Sequence, residues 1–204
     1  MKRTLAISDI HGYADAFEIL LKASKFNQYK DQLIMLGDYS GNGGKNHETF
    51  QIVHKHVESG AIALIGNHEQ RLIDHHKKDD LHLHEWNSFL SQLHYWFEND
   101  CYLFVHAGVR PGISLEKQNV SDMISIRETF HHSCFTHFNK TIIFGHTPPT
   151  YRLGARIGEL WEKENKIGID TGANHGHYLS LVDLTNRTQY KIHVKERTPI
   201  KIDF

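Results

Sequence analysis

The feature that most limits how this chain can fold is an alternation along its first third. Three short apolar runs, residues 4–7, 32–36 and 61–65, are each followed by a segment of helical period: residues 14–25, residues 47–59 and then a third helical stretch. Short β-rich runs alternating with helices are an α/β pattern built in layers. Between residues 81 and 100, Leu83, Trp86, Leu90, Leu93 and Phe97 recur at three- and four-residue steps, which predicts a helix with one apolar face against the core. Further strand-like runs follow at 102–105, 141–144, 166–169, 178–183 and 189–195, with little helix after about Phe130. They predict a strand-dominated layer packed on the first sheet. The charged stretch 75–80 is expected to be a solvated turn between helices. With no Pro/Gly/Ser-rich linker, repeat or low-complexity tract, residues 1–204 are expected to form a single domain.

Charge narrows the possible partners. Lys and Arg total 23 against 24 Asp and Glu, so no broad basic field attracts nucleic acid or an anionic membrane surface. The first apolar run is too short for a signal segment and no stretch reaches membrane-spanning length, which predicts a cytosolic protein without membrane or nucleic-acid partners. Cys101 and Cys134 lack C-x-x-C spacing and read as reduced, partly buried thiols. Histidine is over-represented, at 18 copies, and His75, His76, His131 and His132 stand in polar contexts that predict surface positions.

Another group of histidines stands with carboxylates at the ends of successive strands, where α/β folds gather their ligands. Ser8-Asp9-Ile10-His11-Gly12 ends the first strand. A spacing of two in extended chain aims Asp9 and His11 to one side, where both can share one ion. Gly37-Asp38 ends the second strand with a carboxylate able to bridge two cations. In Gly66-Asn67-His68-Glu69, after the third, neighbouring side chains point apart, so Asn67 and His68 have different tasks. His106 and His146 close the fourth and fifth strands within His106-Ala107-Gly108 and Gly145-His146-Thr147. Mixed carboxylate, imidazole and amide donors without a thiolate suit Mn²⁺, Fe or Zn²⁺.

These five motifs, in this order, resemble those of the phosphoprotein phosphatase family of calcineurin-like metallophosphoesterases, most closely its compact bacterial and phage members. The likeness runs from about Leu5 to Asp183. It implies a calcineurin-like β-sandwich flanked by helices, in four α-β-β-α layers. It also implies two divalent metal ions, one on Asp9, His11 and Asp38 and the other on Asp38, Asn67, His106 and His146. His68 would be the general acid, and Arg127, in Ser125-Ile126-Arg127-Glu128, would bind phosphate in place of the arginine of the family's W-I-R segment. The implied reaction is direct in-line attack of a metal-bridging hydroxide on phosphorus, without a phosphoenzyme.

The second motif departs from the family. Where relatives read G-D-x-x-D-R-G, this chain reads Gly37-Asp38-Tyr39-Ser40-Gly41-Asn42-Gly43. Gly41 replaces a carboxylate that orients the general acid, and Asn42 replaces an arginine that binds phosphate. Both changes predict lower activity, and restoring Asp and Arg together is expected to raise it. Lys45 could reach the phosphate instead, and Glu69 could support His68. Ile169-Asp170-Thr171-Gly172-Ala173 resembles a strand and turn of bacterial members and leads into Asn174, His175 and His177 near the cleft. Tyr13, Tyr39 and Tyr151 are candidates to stack on a substrate.

Three readings stay open. The first is a protein phosphatase acting on phosphoserine, phosphothreonine or phosphotyrosine. The second is a hydrolase of dinucleoside polyphosphates or another small phosphoester. The third is a metal-binding scaffold with little activity.

Overall fold

In a computed structural model, which describes residues 2–74, 84–135 and 138–204, the strands form two sheets. The first opens with β1 (Arg3–Ile7), α1 (Ala14–Ala23), β2 (Asp31–Met35), α2 (Asn46–Glu58) and β3 (Ile62–Ala63), followed by α3 (Asn67–Asp74). β1, β2 and β3 run parallel, as crossovers through α1 and α2 require. After α4 (Asn87–Leu90) come β4 (Trp96–Glu98) and β5 (Tyr102–Val105), then α5 (Val120–Ser125), α6 (Glu128–His131), β6 (Thr141–Phe144) and α7 (Pro149–Arg152). With β7 (Trp161–Lys163) and β8 (Lys166–Gly168) they build the second sheet, in the order β4-β5-β6-β8-β7. The last strands, β9 (Tyr178–Asp183), β10 (Thr188–His193) and β11 (Ile200–Asp203), return to the first sheet, in the order β11-β10-β9-β1-β2-β3.

The two-residue period of each strand explains the layering. Leu5 and Ile7 of β1, like Leu33 and Met35 of β2, face Phe17 and Leu20 of α1 and Phe50 and Val53 of α2. Ala6 and Ile34 point the other way and meet Phe104 and Ile143 of the second sheet. Leu103, Val105, Ile142 and Phe144 face outward onto Met123 of α5 and Phe130 of α6. Both faces of the central strands are therefore buried, which is why these runs are continuously apolar. The result is the expected four-layer α-β-β-α sandwich.

Two expectations about order along the chain need correction. β9–β11 do not add to the second layer; they pair antiparallel beside β1. Nor does one helix fill residues 81–100. Among the described residues this stretch holds a 3₁₀ turn (His84–Trp86), the single-turn α4 and then β4, which pairs antiparallel with β5. The apolar spacing was misleading because it serves two elements. Trp86, Leu90 and Leu93 pack toward α2, while Trp96 and Phe97 alternate between the two faces of a sheet. Asn99 turns the chain into β5, its Oδ1 accepting the N–H groups of Cys101 and Tyr102. Leu83 and the stretch 75–80 lie outside the described residues.

Both cysteines are exposed and free, not partly buried. His132 is exposed as expected, whereas His131 is buried, its ring 5.8 Å from that of Phe130 and 5.6 Å from that of Phe144. Burial, together with the nearby Lys166 charge, pushes the His131 imidazole down to about 4, so it packs as a neutral ring. Among the described residues no helix is long and apolar enough to cross a membrane.

Candidate functional site

The loops leaving β1 and β2 are bound to each other by backbone hydrogen bonds, as are those leaving β5 and β6, and His146 N–H donates to Asp9 Oδ2 at 2.9 Å across the two pairs. Asp9 N–H donates to Gly37 O (3.0 Å), His11 N–H to Asp38 O (2.9 Å) and Gly12 N–H to Tyr39 O (2.7 Å), so the β1 and β2 loops run together past the sheet. Gly145 N–H donates to His106 O at 2.7 Å and joins the ends of β5 and β6 in the same way. Gly145 is required there, because a Cβ would overlap Ser8 Oγ and Asp9 Oδ2. Asp9, His11, Asp38 and His146 all adopt positive φ, between 49° and 64°. Asp and His tolerate this left-handed region better than most residues, yet it still costs about 1 kcal/mol or more each. Four such residues within one set of loops mark strain held in place by the surrounding fold.

The side chains named from the sequence converge at one polar cavity of about 210 Å³. Asp9, His11, Asp38, Asn67, His68, Arg127 and His146 line it, and the fully buried His106 lies against Asn67 and Asp38 beneath them. Two clusters have donor atoms within 4.8 Å of one another and could each hold a metal ion: His11, Asp38 and His68, and Asp38, His106 and His146. Asp38 belongs to both. His11 Nε2 lies 3.5 Å from Asp9 Oδ1 and 3.7 Å from Asp38 Oδ2, while His106 Nε2 lies 3.6 Å from Asp38 Oδ1 and 3.2 Å from Asn67 Oδ1.

The histidine tautomers test whether a cation suits this arrangement. His11 Nδ1 donates to Ser40 O at 3.0 Å and His106 Nδ1 to Leu36 O at 2.8 Å. A carbonyl only accepts, so each Nδ1 carries hydrogen and the neutral ring turns its Nε2 lone pair toward carboxylate and amide oxygens. Lone pairs facing lone pairs are relieved by a proton or a cation. Buried His146 Nε2 has no hydrogen-bond partner among the described residues. Burial, then the neighbouring His106 and Arg127, push that imidazole down to about 3, leaving it neutral and free to ligate. Burial alone would lower His11, but contact with Asp9 and the charges of Asp9 and Asp38 raise it to about 9. Asp9, which burial alone would raise, is held below the usual carboxylate range by His11 and His106. A cation entering here displaces the His11 proton. The donor set therefore fits divalent metal ions.

His68, a donor of the first cluster, stands on the cavity wall with Arg127 and Asp170. The His68 ring sits edge-on to that of His11, centroids 4.8 Å apart, with Nε2 3.9 Å from Asp38 Oδ2. Burial lowers its pKa, against the pull of Asp38. Arg127 is tied by Nη1 to Thr147 Oγ1 at 2.7 Å, which aims its planar fork along the cleft wall beside His146. Asp170 also lines the cavity, and burial followed by the Asp9 charge holds its carboxyl well above the usual range.

Glu69 does not serve the His68 ring. Its oxygens accept the N–H groups of Asp38 (2.7 Å), Tyr39 (2.8 Å) and Gly66 (3.1 Å), fixing the β2 and β3 loops to each other. Burial and the Asp38 charge raise it to about 7, against the pull of these donors. Glu69→Ala would leave three buried N–H groups without acceptors, at about 1–3 kcal/mol each. Urea unfolding of the variant is expected to show a loss of about 3 kcal/mol or more, and a shift below 1 kcal/mol would contradict this role.

Other expectations move as well. Lys45 Nζ contacts both oxygens of Asp15 at 2.7 Å and lines a separate cavity with Tyr13, so neither Lys45 nor Tyr13 reaches the cleft. Tyr39 is buried, its hydroxyl donating to backbone carbonyls, and cannot stack on a substrate. Asn174 and His175 line the cavity, while His177 instead holds the hydroxyl of the exposed Tyr151 at 2.9 Å.

Gly41 is packed too closely for the family's carboxylate. A Cβ there would lie 2.5 Å from His11 Nδ1, 2.7 Å from His11 Cβ and 2.9 Å from Asn174 Oδ1, and His11 is pinned by Ser40. Gly41→Asp with Asn42→Arg is therefore expected to lower activity and Mn²⁺ affinity by about tenfold or more, reversing the expectation from motif comparison. Mn²⁺ titration of the double variant checks this.

Fold and donor set together define a metallophosphoesterase. The family model described as calcineurin-like phosphoesterase matches residues 2–190, and the chain belongs to that family. A symmetrical bis(5'-nucleosyl)-tetraphosphatase of Buchnera aphidicola is 31% identical over 155 residues, which cover 68% of this chain and 56% of that protein. The chain spans between 25% and 56% of the length of these curated relatives. Among solved structures, a candidate diadenosine tetraphosphatase superposes with a TM-score of 0.71 at 20% identity, covering 98% of this chain and 93% of the other. A cold-active protein tyrosine phosphatase superposes with a TM-score of 0.67 at 18% identity, covering 98% and 78%. At these identities the structural likenesses establish the fold.

Proposed function

We propose that this chain hydrolyses a dinucleoside polyphosphate with two divalent cations, Mn²⁺ first among them. The observation that carries the substrate class is the name shared by its curated relatives, symmetrical bis(5'-nucleosyl)-tetraphosphatase, with matches over as much as 68% of this chain. Asp9, His11 and Asp38 would hold one cation, and Asp38, Asn67, His106 and His146 the other. When bound, such cations polarise phosphoryl oxygens and make a water acidic enough to ionise near neutral pH.

The side chains supply the rest. Asp38, at the centre of both clusters, balances their charge. Arg127, its Nη1 braced by Thr147, offers its remaining N–H groups to the non-bridging oxygens of the attacked phosphate. His68, half-buried on the cavity wall, gives a proton to the departing oxygen. The near-complete burial of Asp9, Asp38 and His106 keeps bulk water from screening these charges.

The test is to load the purified protein with Mn²⁺ and compare a dinucleoside tetraphosphate, a phosphopeptide and an aryl phosphate. Metal-dependent cleavage with the highest kcat/KM for the tetraphosphate is expected. Preference for the phosphopeptide would make the chain a protein phosphatase, and no metal-dependent release from any of the three would make it a scaffold.

A further inference from the structure

Deepening the proposed reading, on which it rests, we propose that Arg71 binds a second phosphate of a polyphosphate chain, next to the one held by Arg127. Asn42, at the position where the family resemblance led us to expect an arginine, is an uncharged side chain held by Asn174: its Nδ2 donates to Asn174 O at 3.1 Å and its N–H to Asn174 Oδ1 at 3.2 Å. Lys45, the next cation along that loop, is spent on Asp15. The loop after β2 thus brings no cation to the cleft.

α3 does. Arg71 lies three residues beyond His68, one helical turn on, so both side chains share a face. Both line the same cavity as Arg127. Arg71 is exposed, and among the described residues its guanidinium has no hydrogen bond or ion pair, whereas Arg3, Arg110, Arg152 and Arg187 each pair with a carboxylate. An unpaired planar fork on the wall of a cleft suits a phosphate oxyanion.

Arg127 and Arg71 also come from different parts of the fold, one at the start of α6 beside the second sheet and the other from α3 after β3 of the first. The cavity between them holds the two clusters. A single phosphate seated there meets Arg127, and a longer phosphate chain extends to Arg71. Arg71 then separates polyphosphates from monoesters by binding and not by chemistry.

The experiment uses the Mn²⁺-loaded full chain in matched Mn²⁺ buffer. Calorimetric Kd values for inorganic phosphate and tripolyphosphate are measured for wild type, Arg71→Gln and Arg71→Lys, alongside KM and kcat for a dinucleoside tetraphosphate and p-nitrophenyl phosphate. Arg71→Gln is expected to weaken tripolyphosphate and raise the tetraphosphate KM by about tenfold, with kcat, the phosphate Kd and the aryl phosphate kinetics within about twofold. Arg71→Lys is expected to recover part of the loss. Equal weakening of phosphate and tripolyphosphate, or no change in either, would overturn the assignment. If wild type binds tripolyphosphate through Arg71 yet cleaves no tetraphosphate, the substrate reading fails and the subsite stands.

Discussion

Asp38→Asn is expected to lower kcat by about a thousandfold or more while leaving the fold intact. The carboxylate sits 3.7 Å from His11 Nε2 through one oxygen and 3.6 Å from His106 Nε2 through the other, the latter also accepting the His68 N–H at 2.9 Å. An amide keeps that shape and removes the charge that both clusters share. It also turns N–H donors toward a site built to attract cations. The backbone tolerates the change, because Asp38 has φ 55° and Asn is as much at home in that region. Stability of the metal-free variant should change little, since the repulsion of buried Glu69 and the attraction of His11 are lost together. Calorimetric unfolding beside steady-state kinetics separates the two effects. Retention of even a tenth of the wild-type kcat would place the catalytic charge elsewhere.

His68→Asn is expected to cost about a hundredfold to ten-thousandfold in kcat with little change in KM, because a proton donor acts in the transition state and not in ground-state binding. The effect should depend on the leaving group. A phosphate ester of p-nitrophenol, which departs without help, should lose least, and a poor leaving group most. Among the described residues the His68 ring has no closer carboxylate than Asp38, at 3.9 Å through Nε2, and burial lowers its pKa. In the proposed role of proton donor it therefore has weak support, consistent with the missing carboxylate at Gly41. Equal losses for good and poor leaving groups would show that the ring positions substrate.

Much of this was legible in the chain because it depends on local pattern. Strand ends and the residues just beyond them follow from the apolar runs, so Asp9, Asp38, His106 and His146 could each be placed just past a strand. The expected single sheet edge is in fact the meeting of two sheets, with Asp9 and Asp38 on the first and His106 and His146 on the second. What depends on contacts across the chain was not legible. Glu69 is one residue from His68 in sequence, but its partners are backbone N–H groups some thirty residues away, in the loop after β2. Lys45 is close to the phosphate loop in sequence and is drawn off by Asp15 on α1. The return of β9–β11 to the first sheet is a matter of topology that strand pattern alone does not determine. Gly41 read as a lost carboxylate, and its packing against His11 and Asn174 shows a site built around the smaller residue. Arg71 left a readable signal, the three-residue step from His68 on a helix, obscured because motif comparison directs attention to position 42.

Metal content measured together with metal position tests the central claim most directly. Protein reconstituted with Mn²⁺, analysed for metal by mass and crystallised for anomalous diffraction, should hold two ions per chain on either side of Asp38, one against His11 and the other against His106 and His146. A single ion, none, or a pair whose shared ligand is not Asp38 would contradict it.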